Sequence, residues 1–436
     1  MTVARGQAVV IGGGFAGLLA ARALSDSMRT VTVLERAPWF EPRQRRHGAP
    51  QAHHPHGLLE RGAAALEALF PGFRAEIRAR GAAEFDFGQA TRILFPAGWA
   101  PAVPVGVQHL ACSRTLMEDV LRTRVNALAQ VELADGVAEG LLWSGNRVVG
   151  VRDRQGRSFA ADLVVDASGR TSRLPQWLVQ AGLPPPPAKC VFAGLSYVTR
   201  AYEGSFDPGW HMSAEVTYAP SVRQGGLVQR VEGNRVLVTL IGADGVRPPH
   251  DKKGFIRYAS MLSTPHLREA IGTCTPVGGP YRYGGLDNRW NGFHKVRHWP
   301  EGLIALGDAV AALNPIYGHG LTVSALEALA LRTMLARRPA PGFAHHFQRT
   351  AADVIRVPWL LATLSDAAWR HDLQPPSTRL ANWALRQVLG RVPENPDLYR
   401  RVVLVQNLLA HPLTLTIPLR PRAASSTAIP GHTRSH

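Results

Sequence analysis

Four apolar residues, Ala8-Val9-Val10-Ile11, stand near the start of the chain, the length and texture of a strand buried on both faces. An alanine- and leucine-rich stretch with helical character follows from Ala16 to Met28. Thr30 to Leu34 then turns to β-branched residues and ends on Glu35. Further on, Ser113 stands as an N-cap before a helix whose apolar positions are Leu116, Val120, Leu121 and Val125. Between Val131 and Asp166 short strands alternate with the turns Asp135-Gly136, Ser144-Gly145-Asn146 and Gln155-Gly156. Four prolines in Leu183 to Pro187 mark a domain crossing. Beyond it Val191 to Arg200, Met212 to Tyr218 and the pair around Glu232-Gly233-Asn234 read as antiparallel strands. Leu303 to Leu306 is another buried strand, followed by Gly307-Asp308 and a long helix from about Leu321. From about Phe343 the pattern is helical, broken by Pro375-Pro376, Pro393 and Pro412, and Arg420 to His436 is polar and predicted disordered.

Composition narrows the class. Hydrophobic residues make up 45% of 436, enough for a large core. The formal charge is +17; only Lys189, Lys252, Lys253 and Lys295 are lysines, and the other 45 basic residues are scattered arginines. No basic stretch interleaved with aromatics suggests a nucleic-acid module. Cys112, Cys190 and Cys274 are widely spaced, which fits neither a disulfide framework nor a metal site and agrees with a reducing cytoplasm. No secretory signal is evident, and no run of about 20 apolar residues predicts a membrane span. The most apolar late segment, Val402 to Leu419, carries Gln406, Asn407, His411, Pro412 and Pro418, and a packed helix is expected rather than peripheral membrane contact.

Candidate chemistry begins at the first turn. Gly12-Gly13-Gly14-Phe15-Ala16-Gly17 matches G-x-G-x-x-G between strand and helix. Gly12 permits the tight turn, Gly14 lets the backbone approach a pyrophosphate, and Gly17 allows close helix–strand packing. Free N–H groups of the helix start, at Phe15 and Ala16, face the phosphates. Glu35, with Arg36 beside it, ends the second strand, where a carboxylate accepts hydrogen bonds from an adenosine ribose. The carboxylate argues against a 2′-phosphate on that ribose and does not separate NAD from FAD.

Two further motifs separate them. Leu163-Val164-Val165-Asp166-Ala167-Ser168-Gly169-Arg170 and Gly307-Asp308-Ala309 resemble the Asp-Gly and Gly-Asp motifs of the para-hydroxybenzoate-hydroxylase-like (group A) flavin monooxygenases. The resemblance implies that Asp308 binds FAD ribityl or ribose hydroxyls, that Asp166 and Gly169 lie near the pyrophosphate, and that Arg114 reaches toward the FAD phosphates. No second G-x-G-x-x-G occurs, so NADPH or NADH is expected to dock transiently, or a partner flavin reductase to supply the electrons. In Asn314-Pro315-Ile316-Tyr317-Gly318-His319-Gly320-Leu321, Pro315 forces Asn314 out of helical geometry, and Gly318 and Gly320 admit a flat ring against the backbone. The helix beginning there directs its positive end at that ring. The stretches Trp299 to Val310, Asn314 to Gly320 and Arg46-His47-Gly48-Ala49-Pro50-Gln51 are most similar to the flavin epoxidases of polyether polyketide biosynthesis, although that family usually has Lys at the place of His47.

The resemblance implies an α/β fold with a Rossmann-like FAD-binding domain of glutathione-reductase type, an antiparallel substrate domain and a helical C-terminal extension. The expected segments are 1–80, 113–183 and 291–344 for the FAD domain and 81–112 and 184–290 for the substrate domain. C-terminal helices are expected over 345–419 and a tail over 420–436. The implied activity is transfer of one oxygen atom of molecular oxygen, through a flavin C4a-hydroperoxide, to a small hydrophobic substrate. An alkene of a polyketide-like molecule comes first, aromatic or aliphatic hydroxylation second, and alkene reduction of the geranylgeranyl-reductase type is the alternative. Such chemistry needs no protein nucleophile, and the catalytic candidates are only Arg46, contacting or gating the flavin, and His319, assisting proton transfer. Halogenation is disfavoured, because the Trp-x-Trp-x-Ile-Pro element of the tryptophan halogenases is absent. His53, His54 and His56, interrupted by Pro55, share no helix face and have no matching carboxylates, so no metal is expected.

Overall fold

The structure, a computed structural model, describes residues 6–39, 54–192, 194–284, 287–337 and 341–416, the side chains of 371–373 excepted. Arg46 and the polar tail expected over 420–436 lie outside the described residues. A five-stranded parallel sheet forms the centre, in the spatial order Leu303–Ala305, Leu163–Asp166, Gln7–Ile11, Thr30–Glu35, Val131–Asp135. Ala8 to Ile11 are each 4% exposed or less, because helices cover the sheet. The Phe15–Ser25 helix packs between the Arg114–Asn126 and His319–Ala336 helices, and its Leu18, Leu19 and Leu24 are fully buried. The Arg114–Asn126 helix starts where Ser113 Oγ accepts the Leu116 N–H at 3.1 Å. A three-stranded antiparallel sheet, Ala138–Ser144, Arg147–Asp153 and Ser158–Ala160, follows the parallel edge strand.

The second layer is a seven-stranded sheet in the order Thr275–Tyr283, Ser196–Glu203, Arg235–Gly242, Gln224–Val231, Met212–Glu215, Thr91–Phe95, Gly98–Trp99. All its pairings are antiparallel except that of Thr91–Phe95 with Met212–Glu215. One face is closed by the Lys252–Met261 and His266–Thr273 helices, whose Phe255, Tyr258, Leu267 and Ala270 join Val198, Val228, Val238 and Leu240 in a core of their own. The C-terminal part is helical over Phe343–Ala367, Pro376–Gly390 and Pro396–Gln406. The last of these buries Leu398, Tyr399 and Val403 against Ala100, Val105 and Val107. No helix among the described residues is long and apolar enough to cross a membrane.

Candidate cofactor cleft

A cleft of about 500 Å³ runs along the carboxyl ends of the parallel strands, from Glu35 and Arg36 at one end to Pro315, Gly318 and Gly320 at the other. At the first end the glycines divide the work. Gly12 has φ +102° and donates its N–H to the Leu34 carbonyl at 2.8 Å. A Cβ on Gly17 would lie 1.8 Å from the Gly12 carbonyl oxygen, so the helix crosses the turn only because residue 17 is glycine. Gly14 differs: a Cβ there would meet nothing within 4 Å, and the fold itself does not require glycine at this position. The room is in front of the helix N-terminus, where Gly14 caps without a side chain and the first N–H groups are open to an anion. Glu35 is already aimed, accepting the Gly13 N–H at 2.5 Å and the Ala37 N–H at 3.0 Å. Phe15 is buried, and Ala16 lines the cleft.

In the middle of the cleft stands Asp308. No hydrogen bond to its carboxylate is made among the described residues. Burial pushes its pKa up, opposed by the positive charges of Arg114, Arg170 and Arg289. Arg114 Nε donates to Glu118 Oε1 at 2.6 Å, and Arg114 Nη1 lies 3.3 Å from His56 Nε2. Because His56 Nδ1 lies 2.7 Å from the His54 carbonyl, it must carry the proton there and present Nε2 as an acceptor to Arg114. Burial, then the Arg114 charge, hold His56 well below the ordinary histidine range, so its ring is neutral. Burial alone would lower the Arg114 pKa, but Glu118, Asp308 and Tyr283 outweigh it and raise it. His56, Arg114 and Glu118 thus form a rigid row along one wall.

The far end is the loop 314–318, which leads into the His319–Ala336 helix. Gly318 has φ +70°, and its Cα faces Gly57, where a Cβ would approach to 3.5 Å. Gly320 has only Asp308 Oδ1, at 3.8 Å, beside the place of a Cβ, and Leu321 closes the wall. The N-terminus of this 18-residue helix therefore borders the cleft, and among the described residues no side chain caps it by a hydrogen bond.

Several expected residues stand elsewhere. Asp166 does not reach the cleft: it is fully buried, accepting from Ser168 N–H at 3.0 Å, Ser168 Oγ at 2.5 Å and Ser172 Oγ at 2.5 Å. It braces the 166–172 turn, whose Ser168, Gly169 and Arg170 line the cleft. His319 likewise stands behind the cleft lining. Its ring is fully buried away from the cleft and pushed down to about 4 by burial, against a smaller opposing effect of the Gln406 backbone. Gly17, Gly307 and Asn314 support the walls from behind. Gly307 N–H donates to the buried Glu327 at 2.6 Å, and a Cβ on Gly307 would strike Ala16 at 2.7 Å. Glu327, Glu118 and Tyr283 were not singled out in the sequence, and His56 only within the histidine group from which no metal is expected. Glu118 had a signal, standing four positions after Arg114 on one helix face; the others are brought in only by the tertiary fold.

Residues 10–57 match the family model of an NAD(P)-binding Rossmann-like domain. Over 448 aligned residues, covering 96% of this chain and 93% of the relative, the sequence is 32% identical to Protein Rv3254 of Mycobacterium tuberculosis. Among solved structures, the flavin-dependent brominase Bmp2 superposes with a TM-score of 0.65 at 14% identity, covering 92% of each chain. PqsL, a probable FAD-dependent monooxygenase from Pseudomonas aeruginosa, gives 0.64 at 15% identity over 86% of this chain and 99% of its own. The p-nitrophenol 4-monooxygenase PnpA from Pseudomonas putida DLL-E4 gives 0.64 at 18% identity, over 94% and 99%. At such identities the structural likeness speaks for a shared fold. The chain belongs to the family of Protein Rv3254.

Proposed function

We propose that this family member is an FAD-dependent monooxygenase that draws electrons from NADPH or NADH and adds one atom of molecular oxygen to a small hydrophobic intermediate. An alkene of a polyketide-like molecule is the foremost acceptor. The observation that carries the proposal is the cleft itself, with its aimed carboxylate at Glu35, the roomy helix N-terminus at Gly14, Asp308 without a hydrogen bond among the described residues and the glycine-flanked start of the His319–Ala336 helix. When bound, FAD supplies the redox and oxygen chemistry that no side chain provides. Glu35 receives the adenosine ribose, and the amides after Gly14 take the pyrophosphate. Asp308 accepts from the ribityl hydroxyls, and Arg114 holds the phosphate side with its charge. Gly318 and Gly320 let a flat ring lie against the backbone, and the helix dipole there stabilises negative charge on it.

The acceptor molecule approaches from the seven-stranded sheet. There Leu195, Tyr197, Ile241 and Ala243 pack with Tyr283, Ile316 and Trp369 in an apolar cluster that excludes water. In this scheme segments 1–80, 113–183 and 291–344 build the cofactor domain and 81–112 and 184–290 the substrate domain.

The test is isotopic. The protein is loaded with FAD, reduced without oxygen by NADPH, NADH or a partner flavin reductase, and given ¹⁸O₂ with a panel of alkenes and phenols. Product carrying one ¹⁸O atom is expected. A saturated, unlabelled product would move the assignment to a reductase resembling the geranylgeranyl reductases, and failure to take up FAD would overturn the proposal.

A further inference from the structure

Asp366 lies at the end of the Phe343–Ala367 helix, and its side chain is completely buried. Three side chains donate to it. Tyr317 Oη reaches Oδ1 at 2.6 Å, Asn314 Nδ2 reaches both oxygens at 3.1 Å, and Asn288 Nδ2 reaches Oδ2 at 2.5 Å. The direction of these bonds is fixed from elsewhere. Asn288 Oδ1 accepts the Asn314 backbone N–H at 2.8 Å, and Asn314 Oδ1 accepts the Ile316 N–H at 3.3 Å. Both amides must therefore turn their NH₂ groups to Asp366, and the tyrosine adds a third donor. A carboxylate accepts from all three as they stand; a carboxylic acid or an amide in its place would force the Tyr317 hydroxyl to turn from donor to acceptor and leave one oxygen to both amides. From the Pro396–Gln406 helix, Gln406 Nε2 donates to the Tyr317 carbonyl at 2.8 Å. Two C-terminal helices thus grip the loop 314–318.

We infer that Asp366 is a positioning residue for the ring end of the cleft: through Asn314 and Tyr317 it sets where Pro315 and Gly318 stand, and thereby the affinity for FAD and the reduction potential of the bound flavin. The inference rests on the FAD assignment above. Asp366 acts through the loop and does not itself touch the ring. The titratable groups facing it are Tyr317, kept protonated because burial and the Asp366 charge raise its pKa, and Asp287, whose charge disfavours a second carboxylate. Burial, helped by Asp287, pushes Asp366 up to about 6 in spite of its three donors. Below that pH the group gains a proton and loses an acceptor site. FAD affinity is therefore expected to fall as pH drops through about 6.

The full chain is titrated with FAD between pH 5 and 8, reading flavin absorbance and fluorescence, and the potential of the bound flavin is measured alongside. Asp366→Asn is expected to weaken FAD about 10-fold, to displace the potential, and to abolish the transition near pH 6. A folded Asp366→Asn protein with wild-type affinity, potential and pH profile overturns the inference. If that variant does not fold, Tyr317→Phe decides, since it removes one donor only. A few-fold weaker binding with a shifted flavin spectrum sustains the inference, and unchanged values overturn it. A wild-type protein that takes up no FAD at any pH overturns the FAD assignment and the inference with it, a result distinct from any variant's effect.

Discussion

The two ends of the cleft are built in opposite ways. At the Glu35 end, the Gly12–Gly17 turn, the capped helix start and the aimed carboxylate all come from one stretch of the chain and are held by backbone groups. At the Gly318 end, the loop conformation depends on Asn288, Asp366 and Gln406, side chains from far along the chain and from three different elements. A backbone-built site is rigid by virtue of its turn and tolerates little substitution in it. A side-chain-built site is adjustable from a distance, and its properties are distributed over residues that never meet the ligand.

The sharpest way to break the comparison is at the turn. Gly17→Ala places a methyl 1.8 Å from the Gly12 carbonyl, and stability should drop by about 3 kcal/mol in a denaturant titration, with FAD retention lost alongside. Gly14→Ala is its counterpart: with nothing within 4 Å, the apoprotein should keep wild-type stability while FAD binds about 10-fold more weakly. Equal destabilisation by the two would show that the space before Gly14 is structural rather than kept for a ligand. Asp308→Ala removes a charge-assisted hydrogen bond of about 1.5–3 kcal/mol, so fluorescence titration should show FAD weakened about 10- to 150-fold. An unchanged affinity in folded protein would remove Asp308 from the site. The smallest effect is expected for Glu35→Ala. Its carboxylate is shared with two backbone N–H groups, so the loss of FAD affinity should be about 1 kcal/mol, roughly fivefold, visible in the same titration.

The same contrast explains what the sequence disclosed. The strands Gln7–Ile11 and Thr30–Glu35, the fingerprint, the Ser113 cap and the Gly307-Asp308 turn are each written in a few neighbouring residues, and all were legible. Asp166 misled because a motif position does not say where a side chain points. A serine two residues on, able to bond back to the aspartate, is a local competitor for its oxygens, and Ser168 takes that role. His319 stands off the cleft through helix phase. The helix begins at His319 rather than at Leu321, which turns the imidazole inward while Gly320 keeps the cleft side. The Glu60–Leu69 helix was not predicted at all, and its contact with the His319–Ala336 helix includes a close approach at Gly62. A Cβ on Gly62 would lie 2.5 Å from Thr322 Oγ1, although Leu59, Leu66 and Phe70 do stand at helical spacing and bury on one side. Asp366 gave no local sign, because its significance is the coincidence in space of four residues drawn from distant parts of the chain.

The strand order of the parallel sheet also bears on how the protein is made. Gln7–Ile11 is synthesised well before its neighbour Leu163–Asp166, and that strand well before the edge strand Leu303–Ala305. Until Leu303 has emerged, the edge of Leu163–Asp166 has no partner, and the apolar helices of the early chain have nothing complete to rest on. Completion of the parallel sheet is therefore a late event closed by distant pairings, slow by topology. Any truncation before that point should leave a nascent chain in the care of chaperones.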